Sequence, residues 1–118
     1  MCNQNSYSNA EIFSHAIKNL GRGKLVGVPT AGGVISTGSA RVMDVGTVRL
    51  PFRGWYVKDT GEDMEMNGAV PDVIVWPKPT EIPNGNDRQL DKAVQVLNQE
   101  IKKWKSKKRP EIRNATER

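Results

Sequence analysis

At 118 residues the chain has room for one modest hydrophobic core, and 36% hydrophobic residues is a small share for a self-contained globular domain. One cysteine and one histidine exclude an internal disulfide and a zinc site built from Cys and His, and no run of about 20 apolar residues is present to cross a bilayer. The net charge of +5 is lopsided: eight basic residues and two acids lie from Lys102 onward, which leaves residues 1–101 with ten basic and eleven acidic side chains, close to neutral.

The opening "MCNQNS" reads as the end of a short first strand. Residues 8–20 then place Ile12, Phe13, Ala16, Ile17 and Leu20 at helical spacing, and Gly21 and Gly23 supply a C-terminal stop. "KLVGV", residues 24–28, is a short apolar run closed by Pro29 and reads as a buried strand. "PTAGGVISTGS" is a loop or bulged strand whose glycines let one backbone pass close to another. Two strands are predicted over residues 40–45 and 47–50, turning at Gly46.

Residues 55–57 and 73–75 read as further short strands on either side of an acidic, glycine-containing loop. Pro77, Pro79 and Pro83 predict an extended linker. The final helix, "NDRQLDKAVQVLNQEIKKW", takes Asn86 or Asp87 as its cap and sets Leu90, Ala93, Val94, Leu97, Ile101 and Trp104 along one face. The sum is an α/β fold, a helix on a small mixed sheet with a C-terminal helix, over residues 1–101. Residues 102–118 form a basic tail, predicted to be flexible, whose charge suits a solvated helix end, a nucleic acid or an acidic membrane.

Ser8 is the candidate with chemistry. It opens "SNAE", a capping-box pattern in which its oxygen would accept from the Glu11 N–H while Glu11 reaches back. The same position, at a helix mouth with unpaired N–H groups and partial positive charge, equally suits a nucleophile facing an oxyanion. A serine nucleophile needs a base within hydrogen-bond reach. His15 lies seven residues along the same helix, on the order of 10 Å away by rise alone, so it cannot serve Ser8 within one chain. Ser6, two residues earlier, is read as a turn hydrogen-bonder.

"NQNSYSNAEIFSHAIKNLGRGKLVGVPTAGG" resembles the nucleophile segment of the tail-specific (C-terminal processing) serine peptidases and their tricorn-like branch. The matching positions are Ser8, Glu11, Lys24 to Gly27 and Thr30 to Gly32. The branch with a lysine base carries that lysine after Thr-x-Gly; here Thr30, Ala31 and Gly32 are followed by Gly33, so the lysine is absent. "EMNGAVPDV" instead fits the tricorn branch, with Glu65 at a glutamate position and Pro71-Asp72 beyond it.

The resemblance covers residues 3–97 and implies the last portion of a ClpP/crotonase-like catalytic domain. It implies a serine endopeptidase acting through an acyl-enzyme, with Ser8 as nucleophile, Glu65 as orienting partner and the Asn9 N–H as oxyanion donor. The histidine base would come from an N-terminal part of the domain that these residues do not contain, and the isolated chain is expected to be inactive. No cofactor or metal is expected. The implied partners are a peptide or protein substrate, the N-terminal part of the same domain and a homo-oligomer, with no specific nucleic acid. The compartment stays open, with the periplasm as the default reading. The other class of function left open is a non-catalytic binding module that works through the basic tail.

Overall fold

A computed structural model describes residues 1–112 and 114–117; Arg113 and Arg118 of the basic segment lie outside the described residues. Helix α1 spans Asn9–Asn19, and strand β1, Val26–Gly27, follows after a glycine turn. Next come β2 (Ser36–Val42), β3 (Gly46–Arg53) and β4 (Val73–Ile74), then helix α2 (Arg88–Lys105) and a single 3-10 turn, Ala115–Glu117.

The strands fall into two separate sheets rather than one mixed sheet. β1 pairs in parallel with β4, Val26 opposite Val73 and Gly27 opposite Ile74. On the other side of β1 the chain start adds a parallel bridge, where the Cys2 N–H donates to the Val26 carbonyl at 3.0 Å and the Val28 N–H donates to the Cys2 carbonyl at 3.2 Å. Asp72 fixes the entry to β1, its carboxylate accepting the Leu25 N–H at 2.8 Å. Cys2, Leu25 and Ala69 close a small core around this parallel unit. A second core gathers Val34, Val57 and Met64, with Ile12 and Trp55 packed against it.

The antiparallel sheet is the β2–β3 hairpin alone, with a bulge between Ser36 and Thr37. Its tip differs from the sequence expectation. The reversal runs through residues 43–45, and Gly46 is already the first residue of β3, paired with Val42. Met43 takes the positive φ of 47° that the turn requires, a position usually left to glycine. Trp55 to Val57 makes only a bridge, Tyr56 opposite Asp63.

The proline linker is not extended either. Residues 79–85 wind through successive turns, with Thr80 at φ 69° and Gly85 at φ 80°. Glu81 holds them by accepting the Lys78 N–H at 3.0 Å and an Arg88 guanidinium N–H at 2.7 Å. Three prolines fix φ locally, but side-chain acceptors decide where the chain goes between them. Asp87 caps α2, accepting the Leu90 N–H at 2.9 Å.

Burial departs most from the expected pattern on the helices. In α1 the buried side chains are Glu11 and Ser14, while Phe13 and Leu20 are exposed. In α2 the buried side chain is Gln89, and the predicted apolar residues Leu90, Val94, Leu97 and Trp104 face outward. The radius of gyration, 20.8 Å, is well above the roughly 13–14 Å of a compact chain of this length. Apolar periodicity found the helices, but much of the surface it marks is uncovered in this chain.

Gly27 is the tightest point of the parallel unit. It sits at φ 137°, and a Cβ there would lie 1.9 Å from the Cys2 carbonyl oxygen. Gly27→Ala is expected to cost at least about 2 kcal/mol, from strain and overpacking together. Gly46→Ala, whose added carbon meets open space, should stay within about 0.5 kcal/mol of the parent. Urea unfolding of the two variants side by side checks this.

Candidate active site

The site is built around a buried carboxylate. Glu11, third residue of α1, is 0% exposed and accepts four hydrogen bonds. The Thr30 hydroxyl donates at 2.6 Å, the Gly33 N–H at 2.8 Å and the Ser8 N–H at 3.2 Å, and the Gly32 N–H is the fourth donor. Thr30 is itself fixed, because its hydroxyl oxygen accepts the Ala69 N–H at 2.8 Å. The chain passes so closely at this point that a Cβ on Gly68 would lie 2.2 Å from the Thr30 carbonyl oxygen.

Burial pushes the Glu11 carboxyl toward a higher pKa, but the hydrogen bonds from Thr30, Gly33, Gly32 and Ser8 together outweigh it and leave the group below its ordinary value. The carboxylate is therefore the form around which the loop is built.

Ser8 stands where this network meets the mouth of α1. Its backbone is held at φ 57°, ψ −120°, a region that non-glycine residues rarely occupy. Two contacts hold it there: the Ser8 N–H is shared between Glu11 and the Gly33 carbonyl, the latter at 3.2 Å. Its hydroxyl stands opposite the Glu11 N–H in capping-box position without closing a side-chain cap hydrogen bond; the Glu11 N–H goes instead to the Ser8 backbone carbonyl at 2.9 Å. Ser8 is half-buried, and its hydroxyl remains in loose capping-box position at the helix start.

The first-turn N–H groups of α1 are unevenly occupied. Those of Ala10, Glu11 and Ile12 donate to backbone carbonyls of Tyr7 or Ser8. The Asn9 N–H, next to Ser8, has no acceptor among the described residues. Asn9 is exposed, so this donor is open to an incoming oxygen.

Glu65 does not bond to Ser8. Its Oε2 accepts the Val34 and Ile35 N–H groups, each at 2.8 Å. With Glu11 on Gly32 and Gly33, four successive N–H groups, residues 32–35, are held by two carboxylates. Ser8 and Glu65 are connected through this one segment. The residue after Glu65, Met66, is at φ 64° and donates its N–H to the Gly32 carbonyl at 2.9 Å.

The remaining candidates lie elsewhere. The His15 ring Nε2 is 3.2 Å from the Asn67 carbonyl, which it reaches as an N–H donor, and it makes no contact with Ser8. Ser6 Oγ accepts the Asn3 N–H at 3.1 Å, the turn role expected of it. Burial pushes the Cys2 thiol up, against the pull of the N-terminal ammonium, and its Sγ lies 3.4 Å from the Val28 carbonyl; it has no nucleophile's environment. No group of three or more metal-ligating side chains exists among the described residues. Among them, too, no helix is long and apolar enough to cross a membrane. Sequence reasoning placed Glu11 correctly on the helix but assigned it only to the cap; its tie to Thr30, Gly32 and Gly33 spans about 20 residues of chain and has no local signature.

A profile of peptidase family S41 matches residues 1–75. The tricorn protease of Thermoplasma acidophilum is 35% identical over 103 residues, 86% of this chain and 10% of the relative. Tricorn protease homolog 1 of Streptomyces coelicolor is 34% identical over 113 residues, 95% of this chain and 11% of the relative. A putative tricorn-like protease C-terminal subunit of Sulfurisphaera tokodaii is 37% identical over 95 residues, 80% of this chain and 11% of the relative. A crystal structure of the tricorn protease superimposes with a TM-score of 0.76 at 35% identity, covering 84% of this chain and 10% of that one. The chain therefore spans about a tenth of the length of the relatives it matches.

Two substitutions test the site's architecture. Because the Glu11 pKa is depressed on folding, its contribution to stability is complete above the ordinary value of 4.5 and is lost as pH falls through the lower folded-state value. Glu11→Gln should cost about 1–3 kcal/mol at neutral pH and flatten the acid limb of stability against pH, measured by urea unfolding. Ser8→Gly should leave stability within about 1 kcal/mol of the parent, since relief of the strained φ is offset by loss of the capping-box oxygen and by the added freedom of the unfolded chain.

Proposed function

The chain belongs to peptidase family S41 as a tricorn-like member, and from that premise we propose that it carries the nucleophile of a serine endopeptidase that cleaves peptides through an acyl-enzyme. The observation that carries this reading is Ser8 itself: a strained, half-buried serine at a helix mouth, beside the one open N–H of the first turn.

In this reading Ser8 Oγ attacks the scissile carbonyl as a base removes its proton. The carbonyl oxygen becomes an oxyanion, and the Asn9 N–H donates to it, an interaction worth a few kcal/mol when the donor is already in place. Collapse expels the amine, which takes up the proton from the base; water then hydrolyses the ester by the same route. Glu11 keeps Ser8 in its strained conformation throughout. Glu65 anchors Val34 and Ile35, and its second oxygen orients the incoming base.

No described side chain is bonded to the Ser8 hydroxyl, so the proton acceptor is assigned to a histidine on a segment outside these 118 residues, along with the second oxyanion donor. The relative named as a C-terminal subunit fits a site assembled from separate parts. The ClpP/crotonase-like domain would be completed by the same segment, with residues 102–118 lying outside the peptidase unit. The isolated chain is then inactive.

A fluorophosphonate probe tests this. Ser8 in the 118-residue chain should label at least about a hundredfold more slowly than in a chain completed with the preceding part of a tricorn relative, the contribution of a general base. Ser8→Ala should abolish labelling in the completed form. Rapid labelling of Ser8 in the bare chain would contradict the assignment of the base to an outside segment.

A further inference from the structure

The bulge in the β2–β3 hairpin re-aims one side chain. Thr37 faces Pro51 and Ser36 faces Arg53, so Phe52 is the extra residue and has no opposite number on β2. In an unbroken strand Arg53 would alternate onto the face of Arg49 and Pro51. The extra residue moves it to the other face, which Ser36, Gly38 and Ala40 share with Leu50 and Val48. Phe52 lies on that face too, its ring 3.8 Å from where a Gly38 Cβ would sit. An exposed guanidinium is thereby set at the root of an apolar, uncovered face.

Two rings hold it there. The Arg53 guanidinium carbon is 5.6 Å from the centre of the Phe52 ring and 6.0 Å from that of Trp55, distances at which a cation is drawn to an aromatic face. Trp55 is itself anchored, packing against the Val34, Val57 and Met64 core and donating its indole N–H to Ser36 Oγ at 2.9 Å. The Ser36 hydroxyl therefore keeps its own hydrogen to donate.

What this cation lacks is an acid. Among the described residues no carboxylate lies within ion-pair distance of Arg53, and its guanidinium N–H groups meet no acceptor. Glu65, the acid that binds the neighbouring backbone, is committed to the Val34 and Ile35 N–H groups. Ser36 directly follows the 32–35 segment that connects Ser8 with Glu65, so Arg53, opposite Ser36, stands beside that segment's end.

We propose that Arg53 is a specificity-determining residue for the peptide substrate, receiving an aspartate or glutamate side chain through its guanidinium and the Ser36 hydroxyl. The proposal rests on the peptidase reading for what the ligand is, not for whether it binds. A guanidinium offers paired N–H donors to the two oxygens of a carboxylate. Here the rings have already restricted its rotamers, so less freedom is lost on binding. A side chain suits the place better than a chain end, because a peptide cut internally continues past the site on both sides. A lysine or arginine side chain would be repelled.

Fluorescence anisotropy with the 118-residue chain tests this. The probes are alanine–leucine octapeptides, amidated at the C-terminus and labelled with a neutral fluorophore, carrying one glutamate, glutamine or lysine at each position in turn. At low ionic strength, glutamate at one position should bind about fivefold tighter than glutamine, and lysine more weakly than either. Arg53→Gln should erase the glutamate advantage and leave the glutamine peptides unchanged. Equal binding of glutamate and glutamine peptides at every position would overturn the proposal, and so would an advantage that survives Arg53→Gln. An advantage lost in a Lys107→Gln/Lys108→Gln variant would move the acid to the basic tail, and one that appears only with a free C-terminal carboxylate would move it to a chain end; either result overturns Arg53 as a side-chain subsite. The peptidase reading stands or falls separately on the fluorophosphonate experiment. A glutamate advantage at Arg53 without labelling of the completed form would uphold this proposal and sink that reading.

Discussion

A single buried carboxylate organises this chain. An ionised group out of water is tolerated only when its lone pairs are filled, and Glu11 fills its own from three separate stretches: the helix mouth at Ser8, the hydroxyl of Thr30 and the glycine loop at Gly32 and Gly33. Those stretches lie on either side of β1, and two backbone bonds, Ala31 N–H to the Ser6 carbonyl and Ser8 N–H to the Gly33 carbonyl, reinforce their meeting. The apolar clusters are small, a few residues each, so polar closure does much of the joining that a larger hydrophobic core would do elsewhere. The conformation of Ser8 follows from this closure. A serine at φ 57° persists only where surrounding contacts overdetermine it, and its N–H is held from two sides.

The loop over residues 32–35 repeats the same logic with a second acid. Glu65 takes the two N–H groups next to those that Glu11 takes, so a stretch with little regular structure has its donors satisfied by side chains instead of a neighbouring strand. The cost is that Glu11 must remain ionised, which couples the shape of the site to pH. The benefit is geometric: the segment between Ser8 and Glu65 is fixed at every residue, so both sides of the site are referred to one rigid piece of backbone. Strain at Met66, as at Ser8, sits directly beside that piece.

Much of this was legible from residue order, and the failures have physical causes. Helix α1, the cap at Asp87 and the β1 and β4 positions follow from local rules: periodicity, a short acceptor side chain, and apolar runs bounded by glycine or proline. The family could be read from Ser8, Glu11, the "GKLVG" stretch and Glu65, whose order along the chain carries the resemblance. The tip of the hairpin was misplaced because Met43, not Gly46, adopts the left-handed conformation, which only the strand register reveals. The winding of residues 79–85 depends on Glu81 reaching Lys78 and Arg88, and prolines alone do not announce it. The inside of α1 was read only in part, Ile12 facing the second core while Phe13 is exposed, for a deeper reason: periodicity assumes that the buried face is apolar, and here the most buried residue is an acid whose partners lie 19 to 22 positions away.

Pro51 gives the hairpin a property that its burial pattern would not suggest. Strand β3 is exposed along its whole length, and Val48, Leu50 and Phe52 are among its uncovered residues, a composition that would ordinarily template fibre growth by stacking strand upon strand. Pro51 stands opposite Thr37 in the middle of β3 and has no N–H to offer. Arg49 and Arg53 add like charge on either side of it. A foreign strand aligning with this one would meet a missing donor and a pair of cations within five residues, so the arm can keep an apolar face bare and still resist amyloid-like assembly.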